Sequence, residues 1–277
     1  LHASIRFLVS GAILYIWRRS AGDPVPTRGN WKAAAIVGTF LLLGGNGLVS
    51  LAEKTVPSGV AALVIATSPF WLTLFEAFRA GGAKPSWLSI LGLVVGFSGV
   101  FLLIGPSEIT GSEQKIDTFG AIMLLIAPIL WSSGSIYAKN ADMPKSTLMS
   151  TGMQMLAGSV ALFIVSVATG ELSGFSFGDV SMRSWWGLIY LITFGSLVGF
   201  VSYGWLLHNA PISLVSTYAY VNPVVAVFLG WLLADEALNA RIGFAAAIIV
   251  GSVILINWAR QASARKEAEQ AIPLEVE

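Results

Sequence analysis

The 277-residue sequence contains no cysteine and only two histidines, His2 and His208. Without thiols there is no disulfide framework, no thiolate nucleophile and no Cys-built metal site. Two imidazoles so far apart give no zinc-ligand spacing, and neither has an acidic neighbour in sequence to orient it for nucleophilic catalysis. Charge is the second scarcity. Asp, Glu, Lys and Arg make up 11% of the residues, against about 25% in an ordinary soluble domain. A surface so poor in charge cannot face water over most of its area. The formal charge of +1 gives no reason to expect nucleic acid as a partner. Gly44-Gly45-Asn46-Gly47 is no phosphate loop, because no Lys-Ser/Thr follows it, and no cofactor or metal is expected.

What is present is apolar: 55% of residues are hydrophobic and the mean hydropathy is +0.76. A bilayer core of about 30 Å needs about 20 apolar helical residues, because lipid offers the backbone no hydrogen-bond partners. Nine stretches qualify, at 2–17, 31–52, 57–79, 87–105, 118–138, 146–169, 185–206, 211–234 and 241–259. Residues 106–117 read as a connecting loop and 260–277 as a solvated tail. Counting Lys and Arg on alternating loops places eleven on one side and four on the other. The side retaining positive charge is cytoplasmic, and it includes the C-terminus.

An internal repeat underlies these spans. Pro57 begins one span with Ser68-Pro69 near its middle, and 154 residues later Pro211 begins another with Asn222-Pro223 in the matching place. The repeats divide as 1–105, with four visible spans, and 118–259, with five. The chain opens at Leu1 inside an apolar run, which reads as a truncation with one helix missing before it. Repeats of five spans insert with opposite orientation, an arrangement used by many secondary transporters. The expected fold is therefore all-α, two inverted helical repeats in a membrane.

Polar and aromatic side chains at mid-depth are the candidates for a site, since such groups cost free energy unless paired or hydrated. They are Asn46 in span two, Thr67 and Trp71 in span three, Trp131 and Ser135 in span five, Gln154 in span six, and Tyr218 and Asn222 in span eight. Pro69, Pro128 and Pro223 are expected helix breaks, each removing an N–H and releasing a carbonyl four residues earlier. A break of this kind is either a packing kink or a carbonyl facing a cavity. Trp71 and Trp131 likewise read either as packing or as cavity wall. Arg6 is the one deep charge, placed about 9 Å below the outer end of its helix. Glu76 and Arg79 have the spacing of an interfacial ion pair on one helix. Glycines in spans four and nine, Gly92, Gly96 and Gly99 and then Gly243 and Gly251 with Ala247, are assigned to helix packing.

Several stretches resemble the EamA-type transporters of the drug/metabolite transporter superfamily. They are Arg6-Phe7-Leu8-Val9-Ser10-Gly11, Gly45-Asn46-Gly47 with Ala52-Glu53-Lys54, Pro57-Ser58-Gly59 leading to Thr67-Ser68-Pro69, Trp131-Ser132, and Ser216 through Pro223 followed by Glu236. The resemblance implies a five-plus-five helix plan whose first helix is absent, a central substrate cavity, a bacterial inner-membrane location and export of amino acids or other metabolites. Gly81-Gly82-Ala83-Lys84 lacks an acidic counterpart of Glu236. The expected partners are a small-molecule substrate and the lipid bilayer. A coupling ion, with the proton as candidate, stays unassigned because no carboxylate lies at mid-depth. The rival reading is a membrane-embedded lipid-handling protein or enzyme using the same cavity, which needs acid, base or metal ligands at one interface.

Overall fold

The computed structural model describes residues 1–79, 81–82, 84–104, 117–173, 176, 178, 180–234 and 240–271. The fold is all-α, and no strand occurs among the described residues. The helices are α1 (His2–Ser20), α2 (Arg28–Ala52), α3 (Ser58–Ile65), α4 (Ser68–Phe78), α5 (Trp87–Ile104), α6 (Thr118–Asn140), α7 (Thr147–Ala168), α8 (Met182–Asn209), α9 (Ile212–Val215), α10 (Tyr218–Ala234) and α11 (Ala240–Ala271). Among the described residues, seven helical segments are long and apolar enough to cross a membrane. They are α2, the α3–α4 stretch, α5, α6, α7, α8 and the part of α11 up to Ala259. Helix α1 carries Arg6, Arg18 and Arg19 within its 19 residues, and α9–α10 is interrupted at Ser216–Thr217. The outer faces are those of a lipid-solvated bundle, with Ile16, Phe78, Phe119, Ile164, Tyr190, Phe194 and Phe244 exposed.

Local chemistry sets the helix ends. Thr27 and Asn30 form a reciprocal capping box at the start of α2. Ser146 and Ser181 accept from the backbone N–H three residues on, at the starts of α7 and α8. Gly22 and Gly170, at φ 95° and 75°, turn the chain after α1 and α7. Arg18 grips Asp23 through two hydrogen bonds of 2.6 and 3.0 Å, which holds that carboxyl below its ordinary pKa. The expected connecting segment 106–117 lies outside the described residues apart from Asp117. Of the expected tail, 260–271 continues α11, and residues 272–277 lie outside the described ones.

The chain forms two compact units, Leu1–Lys54 with Phe119–Ala210, and Thr55–Thr118 with Pro211–Glu277. Each sequence repeat contributes to both units, and the crossovers fall just before Pro57 and Pro211. Both prolines stand in extended backbone, with ψ of 139° and 147°, ahead of a new helix. The paired prolines thus mark where each repeat leaves the first unit for the second.

In the first unit α7 is central, packed by α1, α2 and α8. Missing side chains permit the contact. A Cβ on Gly11 would stand 2.9 Å from the Gly152 carbonyl oxygen, and one on Gly38 would stand 2.4 Å from that of Gln154. In the second unit α5 packs along α11. Gly92, Gly96 and Gly99 face Ile256, Tyr220 with Ser252, and Ile249, so their packing role holds. Among the described residues the role does not hold for α11: a Cβ on Gly243 or Gly251 would meet none of their atoms within 4 Å, and Ala247 is exposed. The inner face of α11 is instead Ala245, Ile249, Ser252 and Ile256, on the other side of the helix.

Candidate functional site

Four of the predicted site residues, Asn46, Trp131, Ser135 and Gln154, lie in the first unit. Helix α6 carries Trp131 and Ser135 one turn apart, so both reach the same neighbour, Tyr203 of α8. The Trp131 indole N–H donates to the Tyr203 hydroxyl at 3.1 Å, and the Ser135 and Tyr203 hydroxyls are 2.7 Å apart. Ser135 also donates to the Trp131 carbonyl at 2.7 Å. With its hydrogen committed there, Ser135 accepts from Tyr203, and the three groups close into a directed chain. Trp131 meets Phe200 edge-on at 5.7 Å, and Phe200 meets Phe7 in the same way at 5.4 Å. The polar groups of Trp131 and Ser135 are thus spent inside the protein, and what the tryptophan offers outward is ring surface.

The amides differ. Gln154 donates to Ser150 at 3.1 Å, through its nitrogen alone. It borders a cavity of about 10 Å³ together with Tyr203, Phe200, Thr151 and His208, room for about one water. Asn46 sits on a π-helical stretch, Thr39–Gly47, where the backbone register lets its amide reach the Leu41 carbonyl only at 3.4 Å. Both amides therefore keep hydrogen-bonding capacity. Helix α8 has a second π stretch at Leu191–Val198. Its buried Ser196 accepts from Arg6 Nε at 2.7 Å, while the guanidinium lies over the Phe7 ring at 4.7 Å. A guanidinium inside a spanning segment costs up to about 2.5–3.5 kcal/mol on insertion scales, the full figure applying at the centre, so one hydrogen bond is thin compensation. Sequence reasoning singled out Arg6 but missed Ser196 and Tyr203, which stand among other hydroxyls, Tyr190, Thr193 and Ser202, in the same apolar span and carry no signal that separates them.

A larger cavity of about 650 Å³ lies at one end of the first unit, within the range of small-molecule sites. Its walls come from the start of α1, the second half of α2, the end of α7 and the start of α8. Lys54 and Glu171 pair across it at 3.0 Å, and none of the eight predicted residues lines it.

Thr67, Trp71, Tyr218 and Asn222 lie in the second unit. The Thr67 hydroxyl donates to the Val64 carbonyl at 2.6 Å, and Ser68 donates to that of Ile65, the carbonyl expected to be freed by Pro69. The chain interrupts its helix there, and Pro69 stands in the first turn of the next one, which begins at Ser68. The second repeat shows the same device around Thr217, which donates to Leu214 while its own carbonyl accepts from the N–H groups of Tyr220 and Val221, as that of Thr67 does from Phe70 and Trp71. The interruption thus sits at Ser216–Thr217, and Pro223 is not a break: it lies inside continuous α10. Pro128 likewise lies inside continuous α6. A proline loses one ladder bond, which a helix supported by neighbours survives, whereas the interruptions occur where Ser and Thr hydroxyls compete for the carbonyls. Asn222 is exposed, Trp71 and Tyr218 are half-buried, and Trp71 faces Phe75 with ring centres 6.1 Å apart. Tyr220, midway between Tyr218 and Asn222, is fully buried and donates to the Leu93 carbonyl. Glu76 and Arg79 pair at 2.9 Å on α4 as their spacing predicts. Asp235 and Glu236 lie outside the described residues.

The profile of the EamA-like transporter family matches the chain twice, over residues 2–105 and 118–258. The chain belongs to this family. Among its relatives is the uncharacterized inner membrane transporter YedA of Escherichia coli (strain K12), 36% identical over 92% of this chain and 80% of the relative. Another is the probable terminal-alkyne amino-acid exporter of Streptantibioticus cattleyicolor, 24% identical over 95% of this chain and 85% of that protein. A solved crystal structure superposes with a TM-score of 0.74 at 19% identity, covering 94% of this chain and 88% of its own, and shares the fold. This EamA-like protein is accordingly a multi-pass inner-membrane protein and a transporter.

Proposed function

We propose that the protein carries small amphipathic metabolites, amino acids or related solutes, outward across the membrane by alternating access around a midplane cavity. The observation behind this reading is which polar groups keep capacity. Among the described residues, Asn46 and Gln154 of the first unit are each only partly satisfied while its Ser135 hydroxyl is bonded; within the second unit, taken by itself, Asn222 has no hydrogen bond while the Thr67 hydroxyl is bonded. Uncharged amides that both donate and accept suit zwitterionic solutes better than strongly anionic ones. The Streptantibioticus relative's name, an amino-acid exporter, agrees with that solute class. In proteoliposomes the chain is expected to move labelled amino acids, and Asn222→Leu to slow that movement about tenfold while leaving thermal stability unchanged. Transport undiminished in Asn222→Leu removes that amide from the site, and no flux with any amino acid refutes the solute class.

The charge bias of the loops supports a cytoplasmic C-terminus. A C-terminal fluorescent-protein fusion should fluoresce, and a C-terminal alkaline phosphatase fusion should be inactive. The opposite pair of results reverses the topology.

A further inference from the structure

Arg6 carries a charge within α1, with no ionic partner among the described residues. Its guanidinium lies beside Ser196, which stands at the middle of α8 between Met182 and Asn209. At 1.5 Å per residue the middle of that helix is about 20 Å from either end. The guanidinium thus reaches the middle of α8, well inside that helix and away from both of its ends. Three features fix it there. The buried Ser196 hydroxyl takes Nε, the Phe7 ring supports the guanidinium face, and Gly195 leaves room, since a Cβ at that position would stand 2.8 Å from Nη2. The Phe7 ring is itself fully buried and braced by Phe200, which abuts the Trp131–Tyr203 cluster. Among the described residues no carboxylate pairs with Arg6, and Nε carries its only hydrogen bond to the protein. A planar fork of N–H donors held beside the middle of a spanning helix, with its Nη groups unspent, is built for an oxyanion.

We propose that Arg6 is the oxyanion anchor of this carrier, its Nη groups taking the carboxylate of the transported solute, with Ser196 and Gly195 as positioning residues. This deepens the transport reading and rests on it: the amides suit a solute with both charges, and Arg6 requires that one of them be a carboxylate. The same chemistry would hold a lipid phosphate, so the test separates the two sources.

The full chain is titrated in detergent with phenylalanine, phenylalanine amide and phenethylamine, with and without added anionic phospholipid, and the same probes are followed in proteoliposomes. The wild type should bind phenylalanine about tenfold or more tightly than the other two. Arg6→Gln should erase that preference while leaving amide and amine binding unchanged, and Arg6→Lys should restore part of it. Gly195→Ala, which keeps the charge but pushes the guanidinium aside, should weaken phenylalanine selectively. Equal binding of the three probes by the wild type, or a preference that survives Arg6→Gln, overturns the proposal. A loss of all three probes together in both Arg6→Gln and Arg6→Lys, or a preference that needs anionic phospholipid, assigns the guanidinium to structure or to lipid and also overturns it. A wild type that binds with the carboxylate preference yet moves no probe contradicts the transport reading and leaves the anchor standing.

Discussion

At the scale of single residues, the decisive property is whether a polar atom in an apolar span is already spent. Tyr203 accepts from Trp131 and donates to Ser135, so Tyr203→Phe leaves a buried indole N–H without its partner. The expected cost is about 1–3 kcal/mol, because an orphaned buried donor loses its full compensation. Measured as a fall in thermal stability, that cost should exceed that of Ser135→Ala, after which Tyr203 can still accept from Trp131. Equal stability of Tyr203→Phe and wild type would show the network to be idle. Trp131, Ser135 and Gln154 could be read from sequence, since their chemistry alone makes them conspicuous in apolar helices. Tyr203 and Ser196 could not, because what distinguishes them is a partner on another helix, 68 residues away for Tyr203 and Ser135 and 190 for Ser196 and Arg6.

At the scale of elements, span positions were legible because lipid imposes length and apolarity directly on the chain. Interruptions and contact faces were less so. Proline marked a real break only at Pro69, where Thr67 and Ser68 also divert carbonyls; Pro128 and Pro223 stay inside helices. Glycine spacing found the packed face of α5 but not that of α11, and it overlooked α7, whose Gly152 and Gly158 meet α1 and α2. A small residue permits close approach but does not reveal which helix approaches. Two substitutions separate these cases. Gly38→Ala brings a Cβ against the Gln154 backbone and should destabilise by about 1–3 kcal/mol. Gly243→Ala meets none of the described residues and should be neutral or stabilising by up to about 1 kcal/mol, through helix propensity. Comparable melting temperatures for the two variants would contradict the assigned faces.

At the scale of the whole molecule, two family repeats are redistributed into two compact units, each drawing helices from both. The equivalent prolines Pro57 and Pro211 mark the crossovers, and the Thr67 and Thr217 interruptions follow inside the second unit. The repeat could be read from the paired prolines. The redistribution could not, because a hydropathy pattern fixes where helices lie along the chain and leaves open which of them pack together. A carrier that alternates access must return its site after each release, so it exchanges solute faster than it moves it one way. Counterflow in proteoliposomes tests this most directly: vesicles loaded with unlabelled amino acid should take up labelled amino acid transiently above equilibrium, with saturable kinetics. Flux that rises linearly with concentration and shows no overshoot would identify a passive pore and contradict the account.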